Sequence, residues 1–430
     1  MTSSSVARKF LRWSVVCLTV AAAVSVFVAM LSLEYNIHSE RDWCTFPKFT
    51  RKPETAHIDC GRLILDGKLY TKDLALKRPR LVPRKLKMDC NSIHQRVLFS
   101  AARNRIAFGI AYARIVYEAY EFLEDELMSS YHPQNYFCFS VDLKAEQQFF
   151  DDISTLAGCL PNVMVAKYRH NITSSGRNMN RAHQDCLKLL IGKEGWGYVI
   201  LMQNYDVMIK SVYEVVYILH SLGGVNDIYV RPCEKDRWNQ SAKWDAQSLG
   251  LFPNGPPSLQ NTSITIARGA VQASLSRDAV QWMMTVANLT ALIDQLDSDV
   301  IGADEVLLAS LHVSDTLEMP GRFTGECVNK GYRTDYITRV TFWRATSSDH
   351  CLSRKFRHEV CIFGIEDFAQ LSILPQFDYG IVDCIHELLF NRTFHGQTNN
   401  NLDSQFYRNL VYVRYHTRRK MNEGNITVDC

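Results

Sequence analysis

Tyr136-Phe-Cys-Phe-Ser-Val-Asp142 is the stretch whose reading decides the fold. A short, aromatic-rich apolar run of this kind, ending at a charged residue, reads as a buried β-strand. On its N-terminal side, Ile106-Ala-Phe-Gly-Ile-Ala reads as a second buried strand, and Ala113 to Met128 as an amphipathic helix with an acidic wet face. On its C-terminal side, Asn162-Val-Met-Val-Ala predicts a strand and Asn180 to Leu190 a helix. Tyr198 to Met202 predicts a further strand running into Gln203-Asn-Tyr-Asp206, and Ser211 to Leu222 another helix. Strands and helices alternating at short spacing predict an α/β domain with a largely parallel sheet. Ligands of such sheets bind beyond the carboxyl ends of the strands. Asp142 and Asp206 stand at strand ends by this reading, so each is either a ligand contact or the cap of the next helix.

The composition is that of a folded protein. The chain has 430 residues, 47% hydrophobic and 22% charged, with 48 Lys+Arg against 45 Asp+Glu. This excludes wholesale disorder, and a net charge of +3 gives no footprint for nucleic acid. Thirteen cysteines are many for a reducing compartment.

The N-terminus settles the expected compartment. Residues 13–33, WSVVCLTVAAAVSVFVAMLSL, run 21 residues without a charge, and roughly 20 residues of helix cross a bilayer. Arg8, Lys9 and Arg12 precede the run, while Glu34, Glu40 and Asp42 follow it with only Arg41 beside them. The positive-inside bias then predicts a cytosolic tail (1–12), a signal anchor (13–33), a lumenal stem (34–100) and a lumenal catalytic domain (101–430). A cleaved signal peptide is the alternative. Six N-x-S/T sequons, at Asn171, Asn239, Asn261, Asn288, Asn391 and Asn425, suit the secretory route. Cys17 lies in the apolar segment, which leaves twelve cysteines of the thirteen for an oxidising lumen. Residues 34–88 are polar and basic with little hydrophobic period, as a spacer would be.

Several chemistries are absent from the sequence. It has no Gly-x-Gly-x-x-Gly after the first strand, no Walker loop, no Gly-x-Ser-x-Gly elbow, no His-Glu-x-x-His and no Cys-x-x-Cys. Asp151-Asp152 resembles half of an acidic metal motif, but stands in a stretch better read as a helix start.

Five ordered segments carry a resemblance. They are Ile106 to Asp142, Asn162 to Leu190, Gln203-Asn-Tyr-Asp-Val-Met-Ile-Lys-Ser211, Ala303-Asp-Glu-Val-Leu-Leu-Ala-Ser-Leu311 and Arg357-His-Glu-Val-Cys-Ile-Phe-Gly-Ile-Glu-Asp-Phe-Ala-Gln-Leu371. In that order the chain resembles the core-2/I-branching β-1,6-N-acetylglucosaminyltransferases. The resemblance implies a GT-A-like fold, Golgi residence behind a single-pass type II anchor, and metal-independent, inverting transfer of GlcNAc. The donor would be UDP-GlcNAc and the acceptor a 6-hydroxyl of a glycan or glycoprotein. A xylosyltransferase-like enzyme and a binding protein that has lost transfer are the rival readings.

The resemblance also assigns residues. Glu305 matches the family's base, which takes the acceptor proton; by the residues alone it is also simply a good first-turn residue of a helix. Asp142 matches the residue that contacts uracil. The cation for the departing diphosphate falls on Arg357, or on His358 when counted back from Cys361 without a gap. A second cation, a Lys in the family, is replaced by Gln376. Glu234-Lys-Asp-Arg-Trp238 resembles the acceptor-holding motif, which makes Arg237 an acceptor contact. Trp343 is either a surface for a sugar ring or a core residue. The implied disulfides are Cys60–Cys384, Cys90–Cys159, Cys138–Cys186 and Cys351–Cys361. Cys44, Cys233, Cys327 and Cys430 remain, an even set that could pair within the chain or link two chains in a homodimer.

Overall fold

The computed structural model describes residues 49–65, 67–79, 82, 84–98, 104–297, 301–334, 336–370, 379–395, 402–421 and 430. The apolar segment 13–33, the tail before it, Cys17, Cys44, Gln376 and Asn425 lie outside the described residues. Among the described residues, no helix is long and apolar enough to cross a membrane.

Seven strands build the site region: β1 (Gly109–Val116), β2 (Tyr136–Val141), β3 (Val163–Val165), β4 (Trp196–Met202), β5 (Arg231–Pro232), β6 (Ala267–Arg268) and β7 (Ser274–Ser276). The central sheet has the order β3-β2-β1-β4-β7, with the first four strands parallel and β7 antiparallel to β4. From β1 the chain winds outward through β2 and β3, then crosses back to lay β4 on the other side of β1. The β1/β4 boundary is therefore the switch point where an open parallel sheet opens a crevice.

Alternation along the strands feeds two apolar layers. Tyr112, Phe137, Phe139 and Ile200 pack in one layer with Leu123, Leu127 and Ile153. Ala111, Ala113, Cys138 and Val199 pack in the other with Leu187, Trp282 and Leu307. Both faces of the sheet are thus covered, which is why its strands read as near-continuous apolar runs. The helix Val212–Leu222 begins at a capping box formed by Ser211 and Glu214 and stops at Gly223, whose φ of 66° is left-handed.

Two sequence expectations are corrected here. The predicted helix from Ala113 begins instead at Tyr120, because Ala113–Val116 belong to β1 and pair with β2 as far as Val116↔Val141. The β-branched Ile115 and Val116 favour the strand. Arg114, inside this strand, gives its charge to the carbonyls of Gln203, Asn204 and Asp206 and to Glu126. The folded unit also starts well before residue 101, since Phe49–Cys430 form one compact unit. Ile58, Leu63, Leu74, Ile93 and Val97 are buried in its core. Ile58 precedes the first of three short helices and the other four lie on them, a spacing too sparse to read as a period.

Among the described residues, five disulfides close: Cys60–Cys384, Cys90–Cys159, Cys138–Cys186, Cys351–Cys361 and Cys327–Cys430. The first four are the pairs that the resemblance implies. Cys60–Cys384 spans 324 residues, and closing so long a loop is worth about 5 kcal/mol in the chain-entropy account. The remaining set does not behave as one group: Cys327 takes Cys430, and Cys233 is a half-buried thiol.

Candidate functional site

Glu305 lies in a single 3-10 turn, Ala303–Glu305, ahead of the helix Leu307–Val313. It is therefore not the first turn of an α-helix, and a side chain rather than a helix end holds its carboxylate. Arg268 Nε donates to Glu305 Oε2 at 2.5 Å, and among the described residues Oε1 has no hydrogen-bond partner. The backbone is pinned as well. Gly269 N–H donates to the Glu305 carbonyl at 2.7 Å, and Gly302 N–H to the Ser175 carbonyl at 2.7 Å. Gly269 must be glycine, because a Cβ there would stand 2.2 Å from the Tyr229 carbonyl oxygen.

The ladder β5–β6 carries the rest of this cluster. Arg231 and Arg268 are register partners, so two like charges sit side by side, which is unfavourable without a counter-ion. Glu234 supplies it: Oε1 accepts from Arg231 Nη1 at 2.5 Å and Oε2 from Arg268 Nη1 at 3.1 Å. Burial pushes the Glu234 carboxyl up, but its own backbone N–H and the bonds from Arg268 and Arg231 outweigh this and hold it at about 2. Arg237 Nη1 donates to the Ile301 carbonyl at 2.8 Å, which sets Arg237 against the turn that carries Glu305. Asp304 is buried against Gly176, and burial, then the Glu305 charge, raises it to about 7. Cys233 joins the same corner, where burial and then the Glu234 charge push its thiol up to about 11.

A second set of residues surrounds the carboxyl ends of β1, β2 and β4. Asp142 is buried directly after β2; its Oδ1 accepts from Lys144 N–H at 2.8 Å, and Lys144 Nζ lies 3.8 Å from Oδ2. It is not a helix cap, since the following helix Gln147–Cys159 has Glu146 at that position. Nor is Asp206, whose carboxylate accepts from Gln203 N–H and Gln272 and lies 3.6 Å from Arg339 Nε. Arg357 ends β8 (Lys355–Arg357), which pairs with β9 (Val360–Ile362) in a hairpin tied by Cys351–Cys361. Its guanidinium stands 5.6 Å from the Tyr205 ring centre and 3.8 Å from Glu118 Oε1, while Tyr205 donates to the same Glu118 oxygen at 2.6 Å.

Arg357 and His358 occupy different places in this hairpin. His358 and Glu359 are the two turn residues of this hairpin, with φ of 47° and 66°, the conformation a two-residue hairpin turn requires. His358 is exposed at the tip, whereas Arg357 reaches Tyr205 and Glu118 beyond the carboxyl ends of β4 and β1. Trp343 bridges to Val360 of the same hairpin and is 42% exposed, so the core reading of this tryptophan is wrong. The segment around residues 170–176 borders both sets, through Leu143 N–H to the His170 carbonyl and Gly302 N–H to the Ser175 carbonyl.

Asp151 and Asp152 sit inside the helix Gln147–Cys159, each accepting from a glutamine one turn earlier. Among the described residues, Asp125, Asp383 and His386 offer ligand atoms within 4.8 Å of one another, but the Lys52 ammonium pairs with Asp125 and Asp383 there and supplies the cation itself. Asn171, Asn239, Asn261 and Asn288 are exposed and Asn391 is half-buried. Sequence reading missed Arg268, Tyr205 and Glu118. Arg268 is 37 residues from Glu305, and no spacing rule joins them.

Comparison with known proteins identifies the family of the chain. The family model described as Core-2/I-Branching enzyme matches residues 110–372, more than half of the chain. The chain is 25% identical over 321 residues to a sheep beta-1,3-galactosyl-O-glycosyl-glycoprotein beta-1,6-N-acetylglucosaminyltransferase 3, covering 70% of this chain and 72% of the relative. It is 25% identical over 322 residues to the human protein of the same description, with 70% and 72% covered. A bovine herpesvirus 4 (strain LVR140) beta-1,6-N-acetylglucosaminyltransferase is 23% identical over 382 residues, with 80% and 84% covered. The chain belongs to the Core-2/I-branching enzyme family, and so to the glycosyltransferases.

Proposed function

We propose that the chain transfers N-acetylglucosamine from UDP-GlcNAc to a 6-hydroxyl of an O-linked glycan on a glycoprotein, with inversion and without a metal. The observation that carries this reading is the Glu305 carboxylate, with one oxygen held by Arg268 and the other open. In the transfer, the acceptor oxygen attacks the anomeric carbon as its proton passes to Glu305. The bond to the β-phosphate oxygen breaks, and its electron pair leaves with UDP. Arg357 at the sheet edge meets the charge that develops on the diphosphate. Asp142 contacts the uracil, Arg237 holds the acceptor sugar, and Trp343 offers an exposed ring for stacking. The GT-A-like fold, the donor and the linkage draw on the family and on the printed functions of the relatives. The apolar segment 13–33 serves as a Golgi signal anchor with the rest lumenal, a reading supported by five disulfides that suit an oxidising compartment.

The test is release of UDP by the purified full-length chain, with UDP-GlcNAc or UDP-xylose, galactose-type acceptors and EDTA. Transfer from UDP-GlcNAc in EDTA is expected. Transfer only from UDP-xylose would replace the donor, and activity abolished by EDTA would remove the metal-free mechanism. Gln376, at a position where a cation is expected, favours the second reading of a binding protein without transfer. Specific UDP-GlcNAc binding with no UDP release would establish that reading.

A further inference from the structure

Among the described residues, Arg268 is the side chain that touches both Glu305 and Glu234. Its guanidinium uses two different nitrogens, Nε for Glu305 and Nη1 for Glu234, so its plane is fixed by two carboxylates at once. Glu234 is fixed in turn by Arg231, the ladder partner of Arg268. A chain of alternating charge, Arg231–Glu234–Arg268–Glu305, thus runs from β5 across β6 to the turn that carries the proposed base. Arg268 is only 14% exposed at its side chain, while Glu305 is 24% and Glu234 42% exposed. The clamp is therefore the most sheltered member, and the two carboxylates face outward from it.

We infer that Arg268 is the positioning residue of the base: it clamps Oε2 of Glu305, leaving Oε1 to accept the acceptor proton, and Glu234 with Arg231 holds the clamp. This rests on the proposed role of Glu305. The division of labour between the two oxygens is what the geometry adds. A carboxylate free to rotate offers either oxygen in many orientations, whereas one tied at 2.5 Å offers one oxygen in few. Misplacing a reacting group by about 1 Å can cost on the order of 10²-fold in rate. Arg268 itself donates no proton in the step. The proton goes from the acceptor hydroxyl to Oε1, and the electron pair of the broken glycosidic bond goes to the phosphate oxygen.

The experiment compares Glu305→Gln, Arg268→Lys, Arg268→Gln and Arg268→Ala in the full chain, measuring kcat, donor and acceptor KM, and melting temperature. Arg268→Gln should lower kcat by about 10- to 10²-fold while the UDP-GlcNAc KM changes by less than about threefold. Arg268→Lys, which keeps charge without the two-nitrogen fork, should fall between it and the unmutated protein. Arg268→Ala should regain rate on addition of guanidinium chloride, with sodium chloride at equal ionic strength as the control. A kcat for Arg268→Gln equal to or above that of the unmutated protein, while Glu305→Gln is inactive, overturns the clamp. So does a folded Arg268→Ala protein that guanidinium leaves unchanged, or loss of fold in both Arg268→Lys and Arg268→Gln. Full activity in Glu305→Gln removes the base assignment, and the clamp with it.

Discussion

The two sides of the candidate site are mounted on different kinds of structure. Around Glu305 the side chains are already engaged: Arg268 at 2.5 Å, Glu234 bridging two arginines, and backbone bonds from Gly269 and Gly302. At the carboxyl edge of the sheet, Arg357 stands 3.8 Å from Glu118 and leans on the face of Tyr205, at the end of a small hairpin. The difference fits the roles proposed for each side. A base must be in place before the acceptor arrives, because its task is to take one proton along one direction. The cation proposed for the departing diphosphate is carried instead by a disulfide-tied hairpin, beside Tyr205 and Glu118.

Four measurements would break or sharpen this contrast. The largest of these four effects is expected on the hairpin side: Arg357→Ala should lower kcat by about 10²- to 10³-fold, as loss of one charge-stabilising group does elsewhere, and should weaken UDP binding by calorimetry. His358→Ala, at the exposed turn, is the comparison, and an equal loss there would return the assignment to His358. Next, replacing Cys351 and Cys361 by serine frees the hairpin. Closing a loop of 10 residues is worth about 3 kcal/mol or less, so denaturant unfolding should shift modestly while the UDP-GlcNAc KM rises. An unchanged KM would show that the hairpin is rigid without its disulfide. On the engaged side, Gly269→Ala must move the Tyr229 carbonyl or the Glu305 turn, and should cost about 1–3 kcal/mol in unfolding free energy along with part of kcat. Retention of both would show that the turn adapts.

The smallest effect concerns Asp304. Its folded-state value, raised to about 7 by burial and then by Glu305, lies above the ordinary carboxylate value, so the folded protein binds the proton more tightly than the unfolded chain. The stability this contributes is fully present below about pH 4 and is lost as pH rises through about 7. Asp304→Asn should flatten that part of the stability profile, measured by urea unfolding between pH 4 and 8. An unaltered profile would contradict the buried, proton-binding state of Asp304.

The sheet was legible in the sequence because both its faces are buried, so Tyr136–Val141 and Tyr198–Met202 stand out as apolar runs whatever surrounds them. The start of the helix after β1 was not legible, because Ala113–Val116 continue β1 with no break in the sequence before Tyr120. Residues 49–98 misled the reading in another way: their few core residues lie on or just before short helices tied down by Cys60–Cys384 and Cys90–Cys159. In the candidate site, Glu305, Asp142 and Arg357 were proposed from segment patterns. Arg268 was not, because its role comes from lying opposite Arg231 in a two-residue ladder and across from a turn far along the chain. The same ladder explains why Glu234 matters beyond its motif.

The central claim is that Glu305 takes the acceptor proton. Its most direct test is the transfer rate of Glu305→Gln in a single turnover with saturating UDP-GlcNAc and acceptor, alongside donor affinity by calorimetry. The account predicts a rate lower by about 10²- to 10⁴-fold with UDP-GlcNAc affinity unchanged. A rate within twofold of the unmutated protein would contradict it.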